Sequence, residues 1–359
     1  GGIVIGSFSR IKRARPEKVH SIVVVHSWDS IGEEKELFSK TMKQAFKDAE
    51  LEVNVHHIYA NMVHRTQELF AKYDWPVYAD SIRKWKPDVI LLNDDPIVEW
   101  LLTRETVDSI FLKTPIVFAG VNALQRDSLY KIPQMTGFEA HIDLGRNIEL
   151  LMRIDKKQSL IVELDRAPLD QRLREQFNHD LKDSTRFVNN SNFYLRNFEN
   201  EFLKDVYAGV AVVNFISCED PTLNRSDDET PEIGRKRTES IYQKSGTMRH
   251  LQVKYDIFSN SLIYYSGMPQ FTCIREQFNV PNKNLFLCGY FTGTETQVKD
   301  QVEYAARILH GEEARTLPIA LHACGYYMDW NVMQSLSPKM AYGVYSKDFH
   351  IINAPYYLE

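Results

Sequence analysis

Short, continuous apolar runs alternate with amphipathic segments along this chain, and no other feature constrains its fold as much. The run SIVVVH at residues 21–26 is rich in β-branched residues, as expected for a strand buried on both faces of a sheet. The next segment, EEKELFSKTMKQAFKDAE, carries one apolar helical stripe made by Leu37, Met42, Ala45, Phe46 and Ala49. Together they predict a strand, a loop and a helix.

The same unit recurs along most of the chain. Further strands are predicted in VNVHHIYA, PDVILLNDD, PIVFAGVNA, QSLIVELD, TRFVNN and VAVVNFIS, with helical segments between them. Residues 219–249 are polar and predict a loop or a surface helix, after which LQVKYDIF regains strand character. Such alternation predicts an α/β fold with parallel sheets. Because 359 residues exceed what one core usually supports, we expect two Rossmann-like lobes.

Composition excludes several classes of protein. The net charge of -5, without long runs of one sign, offers no basic surface for nucleic acid. No stretch approaches the roughly 18 consecutive apolar residues that a membrane span needs. We expect residues 1–20 to be a disordered lead or tag. The four cysteines lack a CxxC spacing, so we expect buried small hydrophobic residues, with a Cys273–Cys288 bridge left open.

The motifs of the common α/β enzymes are missing. The chain contains no GxSxG, GxxxxGK[ST], HExxH or GxGxxG after its first strand. His56 and His57 are strand neighbours that face opposite sides, so at most one of them lies near His64, which disfavours a metal site. We therefore expect no catalytic residues, no metal and no cofactor.

Ligand contacts are expected at the carboxyl ends of the strands, where loops diverge and helix N-termini point inward. The candidate residues there mix aromatic rings, carboxylates, an amide, a hydroxyl and a guanidinium, which suits a small polar or amphipathic ligand. They are Ser27, Trp28, Asp29, Asp94, Asp95, Asn122, Asp165, Arg166, Tyr255, Asp256 and Tyr290.

Each candidate also has a purely structural interpretation. Asp94 and Asp95 precede Pro96 and are suited either to capping a helix or to contacting a ligand. Trp28 and Tyr290 are suited to stacking on a ligand or to ordinary partial burial, and Arg166 to a solvated helix start. Sequence alone leaves both roles open.

Several segments, in order, resemble the type I periplasmic solute-binding superfamily, in particular its ABC-transporter substrate-binding-like branch. The resemblance is carried from about Ser21 to Glu359 by SIVVVHSWDS, KPDVILLNDDPIVEWL, TPIVFAGVNA, MTGFEAHIDLGRNIELLMRI, VEYAARILHGEEARTLPI and YYMDWNVMQSL. The chain departs from the family between Glu219 and Phe286. It also has LFLCGYF where family members have a strand ending in two glycines.

The resemblance implies two lobes joined by three crossovers, after Asn122, around Phe291 and around Leu317, with a ligand cleft between them. It divides the chain into an N-terminal lobe of residues 21–137 plus 292–317 and a C-terminal lobe of 138–291 plus 318–345. Residues 346–359 would form a juxtamembrane-like tail. Hinge closure would trap the ligand.

The tail KMAYGVYSKDFHIINAPYYLE is similar to the stretch that precedes the membrane span in ectodomains of sensor histidine kinases. We therefore expect an extracytoplasmic, periplasmic sensor domain, membrane-tethered in its full-length form. The alternative is the substrate-binding component of an ABC transporter, paired with a permease. The expected partner is a small molecule, with amino acids, nucleosides and small aromatics all open, and a homodimer is open as well.

Overall fold

The computed structural model describes residues 18–27, 33–62, 67–122, 124–143, 145–147, 150, 160–164, 175, 193–197, 211–214, 270–272, 275, 288–336 and 349–353. Within these ranges the strands are β1 (His20–His26), β2 (Val53–Tyr59), β3 (Val89–Asn93), β4 (Ile116–Val121), β5 (Met135–Glu139), β6 (Leu160–Leu164), β7 (Phe193–Asn197), β8 (Ala211–Asn214), β9 (Gln270–Thr272), β10 (Cys288–Phe291), β11 (Ala320–Leu321), β12 (Gly325–Asp329) and β13 (Phe349–Ile352).

The α-helices of the same ranges are α1 (Glu33–Asp48), α2 (Gln67–Leu69), α3 (Trp75–Trp85), α4 (Asp95–Thr103), α5 (Ser109–Lys113), α6 (Thr294–Leu309) and α7 (Trp330–Leu336). A π-helical turn, Phe70–Asp74, leads into α3, and short 3-10 helices cover Arg126–Lys131 and Ala314–Thr316. No helix in the described ranges is both long and apolar enough to span a membrane.

The first sheet has the order β11-β5-β4-β3-β1-β2, and its paired strands are all parallel. Side chains alternate between its two faces, and both faces are covered. Val23 and Val25 pack with α3, α4 and α5, whereas Ile22 and Val24 pack with α1 and α6. Burial on both faces is why the sequence of β1 is continuously apolar.

The second sheet has the order β13-β12-β10-β9-β8-β6-β7. Its pairs are parallel except β10 with β12, which is antiparallel. The chain passes between the two sheets after Glu139, between Phe291 and Thr294, and between Leu321 and Gly325. The mostly parallel α/β architecture that the sequence predicts is therefore present.

The structure differs from the sequence-based expectation in some local elements. Residues 349–352, which were placed in a tail, form the edge strand β13 beside β12. The segment TRFVNN, near which a strand was predicted, and the predicted strand LQVKYDIF lie outside the described residues. Strand β7 follows shortly after TRFVNN, whereas β9 was not predicted. Cys288 is a free, fully buried thiol, so the bridge left open by the sequence is not formed.

Gly137 is required where β5 approaches β4. A Cβ at this position would overlap the carbonyl oxygen of Phe118 and lie 2.7 Å from its amide nitrogen. We predict that Gly137→Ala lowers the free energy of unfolding by about 3 kcal/mol, because backbone and not a flexible side chain must move. Urea denaturation followed by tryptophan fluorescence measures the change. Gly311→Ala is the control: at its φ of +106° alanine is strained, but the added methyl meets nothing within 4 Å, so this variant should lose less stability. Equal losses would contradict the packing explanation.

Candidate functional site

The carboxyl ends of β1, β3 and β4 lie side by side at one edge of the first sheet. The register pairs His26 with Asn93 and Asn93 with Ala119. The loops that leave these strands therefore begin at a common edge, as ligand-binding loops of open parallel sheets do. This edge brings together four of the sequence-predicted residues: Ser27, Asp94, Asp95 and Asn122.

The side chain of Ser27 makes hydrogen bonds to the backbone of two neighbouring segments. Its fully buried hydroxyl donates to the carbonyl oxygen of Asn93 at 2.7 Å and accepts from the amide of Ile97 at 3.1 Å. Ile97 lies in the first turn of α4, where backbone amides have no partner within the helix. The hydroxyl of Ser27 thus caps α4 from another strand, a role that sequence spacing does not reveal.

Asp95 joins the start of α4 to the end of β4. Its two carboxylate oxygens accept from the amide nitrogen and the side-chain amide of Asn122, both at 2.9 Å. Asp95 is 4% exposed. The carboxylate and the amide that the sequence marked as ligand contacts therefore bind each other, and this pairing fixes the loop after β4.

Asp94 has an unusual backbone. Its φ of 71° and ψ of 168° lie in a region that is essentially restricted to glycine. Its side chain makes no capping hydrogen bond to α4, which removes the helix-capping interpretation. Strain of this kind persists where surrounding contacts enforce it, and it clusters at functional sites.

The carboxylate of Asp94 faces Arg275, which follows β9 of the second sheet. The Nη2 of Arg275 lies 3.8 Å from Oδ1 of Asp94, and the two side chains are only 13% and 11% exposed. Arg275 Nη1 also donates to Oε1 of Gln297, in the first turns of α6. Residues from both sheets thus meet at one charged cluster, which we call the Asp94–Arg275–Gln297 cluster.

Gly120 forms the wall of this cluster. It has a φ of +73°, and a Cβ there would lie 2.6 Å from Nε2 of Gln297 and 2.7 Å from Oδ1 of Asp94. Its amide donates to Nε2 of His322 at 3.2 Å, while Nδ1 of His322 lies 2.7 Å from Asp300. His322 therefore accepts through Nε2 and donates through Nδ1 as a neutral ring. Burial lowers the pKa of His322, aided by Arg275 and opposed by Asp300.

A stack of aromatic rings lies beside the cluster. His26 stacks on Tyr59 at 4.6 Å, and its Nε2 lies 3.0 Å from Nδ1 of His57. The side-chain amide of Asn93 lies 3.3 Å from Nδ1 of His26. Burial lowers the pKa of His26 well below its usual range, and the charges of His57, Lys35 and Arg275 act in the same direction. Both rings are neutral at neutral pH.

Tyr290, the remaining described candidate, lies on β10 next to a crossing between the sheets. Its backbone amide donates to Asn147 Oδ1 at 2.8 Å, and its carbonyl accepts from Asn147 Nδ2 at 2.9 Å. Its ring contacts Tyr326 at 4.6 Å. The described contacts of Tyr290 thus belong to the crossing segments and not to the Asp94–Arg275–Gln297 cluster.

The other candidates lie outside the described residues: Trp28, Asp29, Asp165, Arg166, Tyr255 and Asp256. Sequence reasoning missed Arg275, Gln297 and His322. Arg275 lies in a stretch without a strand pattern, but Gln297 opens a helix directly after the predicted strand LFLCGYF. The rule that helix N-termini point toward the cleft was a usable signal for Gln297.

Two further features bear on binding chemistry. Among the described residues, no three His, Cys, Asp or Glu side chains group as metal ligands. A groove of about 560 Å³ lies between α1 and α6, lined by residues that include Leu37, Lys40, Lys299 and Val302. This groove is on the outer, helical face of the first sheet, away from the strand ends.

No protein-family model and no curated protein matches the chain. Among solved structures, the ligand-free, open structure of a substrate-binding protein with adhesive properties from Clostridium difficile has a TM-score of 0.56 at 12% identity, covering 94% of this chain and 100% of that one. A conserved domain protein from Vibrio cholerae gives 0.56 at 11% identity, with 93% and 100% covered.

An ABC domain in complex with L-Trp from Streptococcus pneumoniae gives a TM-score of 0.54 at 11% identity, with 93% of this chain and 100% of that chain covered. Identities this low show the fold alone. The chain has the type I periplasmic-binding-protein fold, which confirms the fold that the sequence resemblance implies.

The strained backbone of Asp94 can be tested without any ligand. Asp94→Gly and Asp94→Ala both remove the carboxylate, but only glycine adopts the observed backbone angles without strain. We predict that the glycine variant is more stable than the alanine variant by about 1–3 kcal/mol in urea denaturation. At a position with ordinary backbone angles, the glycine variant is less stable than the alanine variant. A glycine variant that is the less stable of the two at residue 94 would therefore refute the strained conformation.

The buried histidines predict a loss of stability in acid. Burial lowers the pKa of His26, His57 and His322, whereas the unfolded chain titrates near about pH 6.5. Below that pH the unfolded chain binds more protons than the folded chain, so the free energy of unfolding falls as the pH drops toward the lowered pKa values of the folded state. The contribution of these histidines to stability is complete above about pH 6.5. His26→Phe keeps an aromatic ring and should flatten this slope; an unchanged slope in urea titrations across pH would contradict the assignment.

Proposed function

We propose that this chain is an extracytoplasmic binding protein that closes two lobes on a small molecule. The observation that carries the proposal is the contact of Asp94 with Arg275. Asp94 follows a strand of the first sheet and Arg275 follows a strand of the second, so the pair spans the space between the sheets. Strand ends of two parallel sheets facing each other make a cleft of the kind that holds ligands.

The proposed lobes follow the sheets. The first comprises the chain up to Glu139 together with α6 and β11, and the second comprises β6 to β10 with β12, α7 and β13. The sequence resemblance implied limits at residues 137, 291 and 317, with residues 346–359 as a separate tail; the division proposed here moves the first and third limits slightly and adds β13 to the second lobe. The three crossing segments between them are where we place the hinge.

Within the cleft, we propose different roles for the candidate residues. Asp94 contacts the ligand, and Trp28, Asp29, Asp165, Arg166, Tyr255 and Asp256 remain proposed contacts from their places after predicted strands. Ser27, Asp95 and Asn122 hold the loops in place, since their polar groups bind one another or the start of α4.

We propose a periplasmic role in supplying substrate to an ABC transporter, with a permease as the membrane partner. Support comes from the fold, from the family resemblance of the sequence and from the Clostridium difficile structure, which is named as a substrate-binding protein. The strand β13 lies inside residues 346–359, which leaves less of that segment to act as a membrane-proximal linker.

A sensor ectodomain is the second candidate, because the terminal segment is similar to the stretch before the membrane span of sensor kinases. The reading frame beyond Glu359 distinguishes the two. An apolar run of about 20 residues there favours the sensor, whereas co-purification of the native protein with a permease favours the transporter component.

A thermal-shift screen of amino acids, sugars, nucleosides and small aromatics tests the binding function. We predict that at least one class stabilises the protein, by about 2.7 kcal/mol at about 100 times its Kd. Small-angle scattering should then show a smaller radius of gyration, because the lobes close. Mass spectrometry should recover the ligand unchanged. No stabilisation by any class would overturn the binding function, and conversion of the ligand would show an enzyme instead.

A further inference from the structure

One side of the groove between α1 and α6 is a row of mostly small side chains. On α1, Phe38, Met42 and Phe46 are buried against the first sheet. A second row on the same helix, with one turn between its members, lines the groove: Leu37, Thr41, Ala45 and Ala49. Leu37 is the one large side chain of this row, and it is 39% exposed. The apolar arc of α1 is therefore wider than its packing on the sheet requires, and its small residues allow another helix to approach closely.

The rims of the groove carry charges of both signs in regular rows. On α1 the row has one lysine and one carboxylate on either side of a neutral residue, each one turn apart: Lys40, Gln44 and Asp48. On α6 a lysine lies between two carboxylates at the same spacing: Glu295, Lys299 and Glu303. Two lysines and three carboxylates nearly balance, so a strongly acidic or strongly basic partner does not match this surface.

The contacts that these groups already make lie within single helices. Nε2 of Gln44 donates to Oδ1 of Asp48 at 2.6 Å. Nζ of Lys299 lies 3.6 Å from Oε2 of Glu295, and the two side chains are 63% and 58% exposed. Exposed pairs of this kind contribute little to stability. The charged groups therefore remain accessible to a second partner without a large loss.

A two-fold axis matches each of these rows to a copy of itself. In a symmetric dimer the same surface patch meets on both copies. When α1 lies antiparallel to α1 of a second copy and the axis passes Gln44, Lys40 of each copy faces Asp48 of the other. On α6, Lys299 and Glu303 match in the same way about position 301.

We propose that the groove between α1 and α6 binds a second copy of this chain. The interface is a layer of four helices, α1 and α6 from each copy, with like helices antiparallel. The small row of α1 gives the close approach, and the charged rows fix the register and the antiparallel direction. The interface lies on the outer face of the first sheet, so it is independent of the cleft between the sheets.

The size of this face indicates a weak dimer. Each of the two helices has 16 residues and is about 24 Å long. Neighbouring helix axes lie about 10 Å apart, so the face is about 20 Å wide and offers about 500 Å² per copy. A stable complex of standard size buries about 800 Å² per partner. We therefore expect a Kd of about 1–100 μM.

Sedimentation velocity over protein concentrations on both sides of that range tests the proposal. The unmodified protein should change from monomer to dimer as its concentration rises. Lys40→Glu and Asp48→Lys each place like charges opposite each other twice, so each should raise the Kd at least about 10-fold. The double variant, Lys40→Glu with Asp48→Lys, restores opposite charges and should return the Kd to within about 3-fold of the parent value.

Lys43→Glu is the matched control. Lys43 is exposed on the same helix but does not line the groove, and its substitution changes the charge as Lys40→Glu does. This variant should dimerise like the parent protein. A loss of dimer equal to that of Lys40→Glu would show a general charge effect and would overturn the assignment to this face.

Crosslinking locates the axis. Gln44 meets its own copy in the proposed arrangement, so Gln44→Cys with a short bis-maleimide should give a covalent dimer at concentrations where the dimer forms. Lys43→Cys points away from the groove and should crosslink no more than the parent, which supplies the background from the natural cysteines. Equal crosslinking at both positions would contradict the proposed register.

The other occupants of the groove are distinguished by the same measurements. If the groove takes a small molecule or a different protein, the chain remains a monomer at every concentration, and the proposal is overturned. A dimer whose Kd is unchanged in both Lys40→Glu and Asp48→Lys uses another surface and overturns it as well. Far-UV circular dichroism checks that each variant is folded, and recovery of the dimer in the double variant cannot arise from misfolding.

Discussion

The start of α4 is held by two side chains, and the arrangement of the cleft depends on them. The hydroxyl of Ser27, directly after β1, caps the helix, and the carboxylate of Asp95 accepts hydrogen bonds from both the backbone amide and the side-chain amide of Asn122 after β4. Three loops that would otherwise move independently are thereby fixed to one another. Because Ser27 and Asp95 are almost fully buried, their hydrogen bonds are shielded from competing water.

This scaffold makes the strained position of Asp94 possible. Residue 94 lies between the end of β3 and the capped helix, and its amide donates to the carbonyl of Ala119. The chain on both sides is thus fixed, and the residue between must adopt whatever angles close the turn. Glycine would do so without strain. The presence of aspartate points to a use for its carboxylate beyond the fold, since the helix is already capped by Ser27.

The sequence predicted the first sheet well for a simple physical reason. Its strands are buried on both faces by helices, so their apolar runs are long and unmistakable, and His20–His26 and Val89–Asn93 match the predicted runs closely. Strand β11 has two residues, and β9 has three, which is too short to show a pattern. Strand β13 has only four residues, FHII, at the edge of its sheet, and the sequence interpretation placed it in a tail.

The site was predictable only in part. The sequence shows where a residue lies relative to a strand, but not which residues from distant segments face it. Asp94 was singled out from its place after β3, and so were Ser27, Asp95 and Asn122 from equivalent places. In the structure Asp95 binds Asn122, whereas Ser27 binds the carbonyl of Asn93 and the start of α4. What separates them is the partner supplied by distant segments, such as Arg275, 181 positions from Asp94 in the chain. Only the fold brings that partner near, so sequence position alone could not assign roles.

Opposite charges on the two sheets also bear on how closure depends on the ligand. At 3.8 Å the Asp94–Arg275 contact is longer than a direct hydrogen bond, yet both groups are largely removed from water. Asp94 and Arg275 therefore attract each other across the two sheets through a contact that is mainly electrostatic. A ligand shifts the equilibrium toward closure only by the difference in free energy between the contacts that it makes in the closed state and the Asp94–Arg275 contact that it replaces.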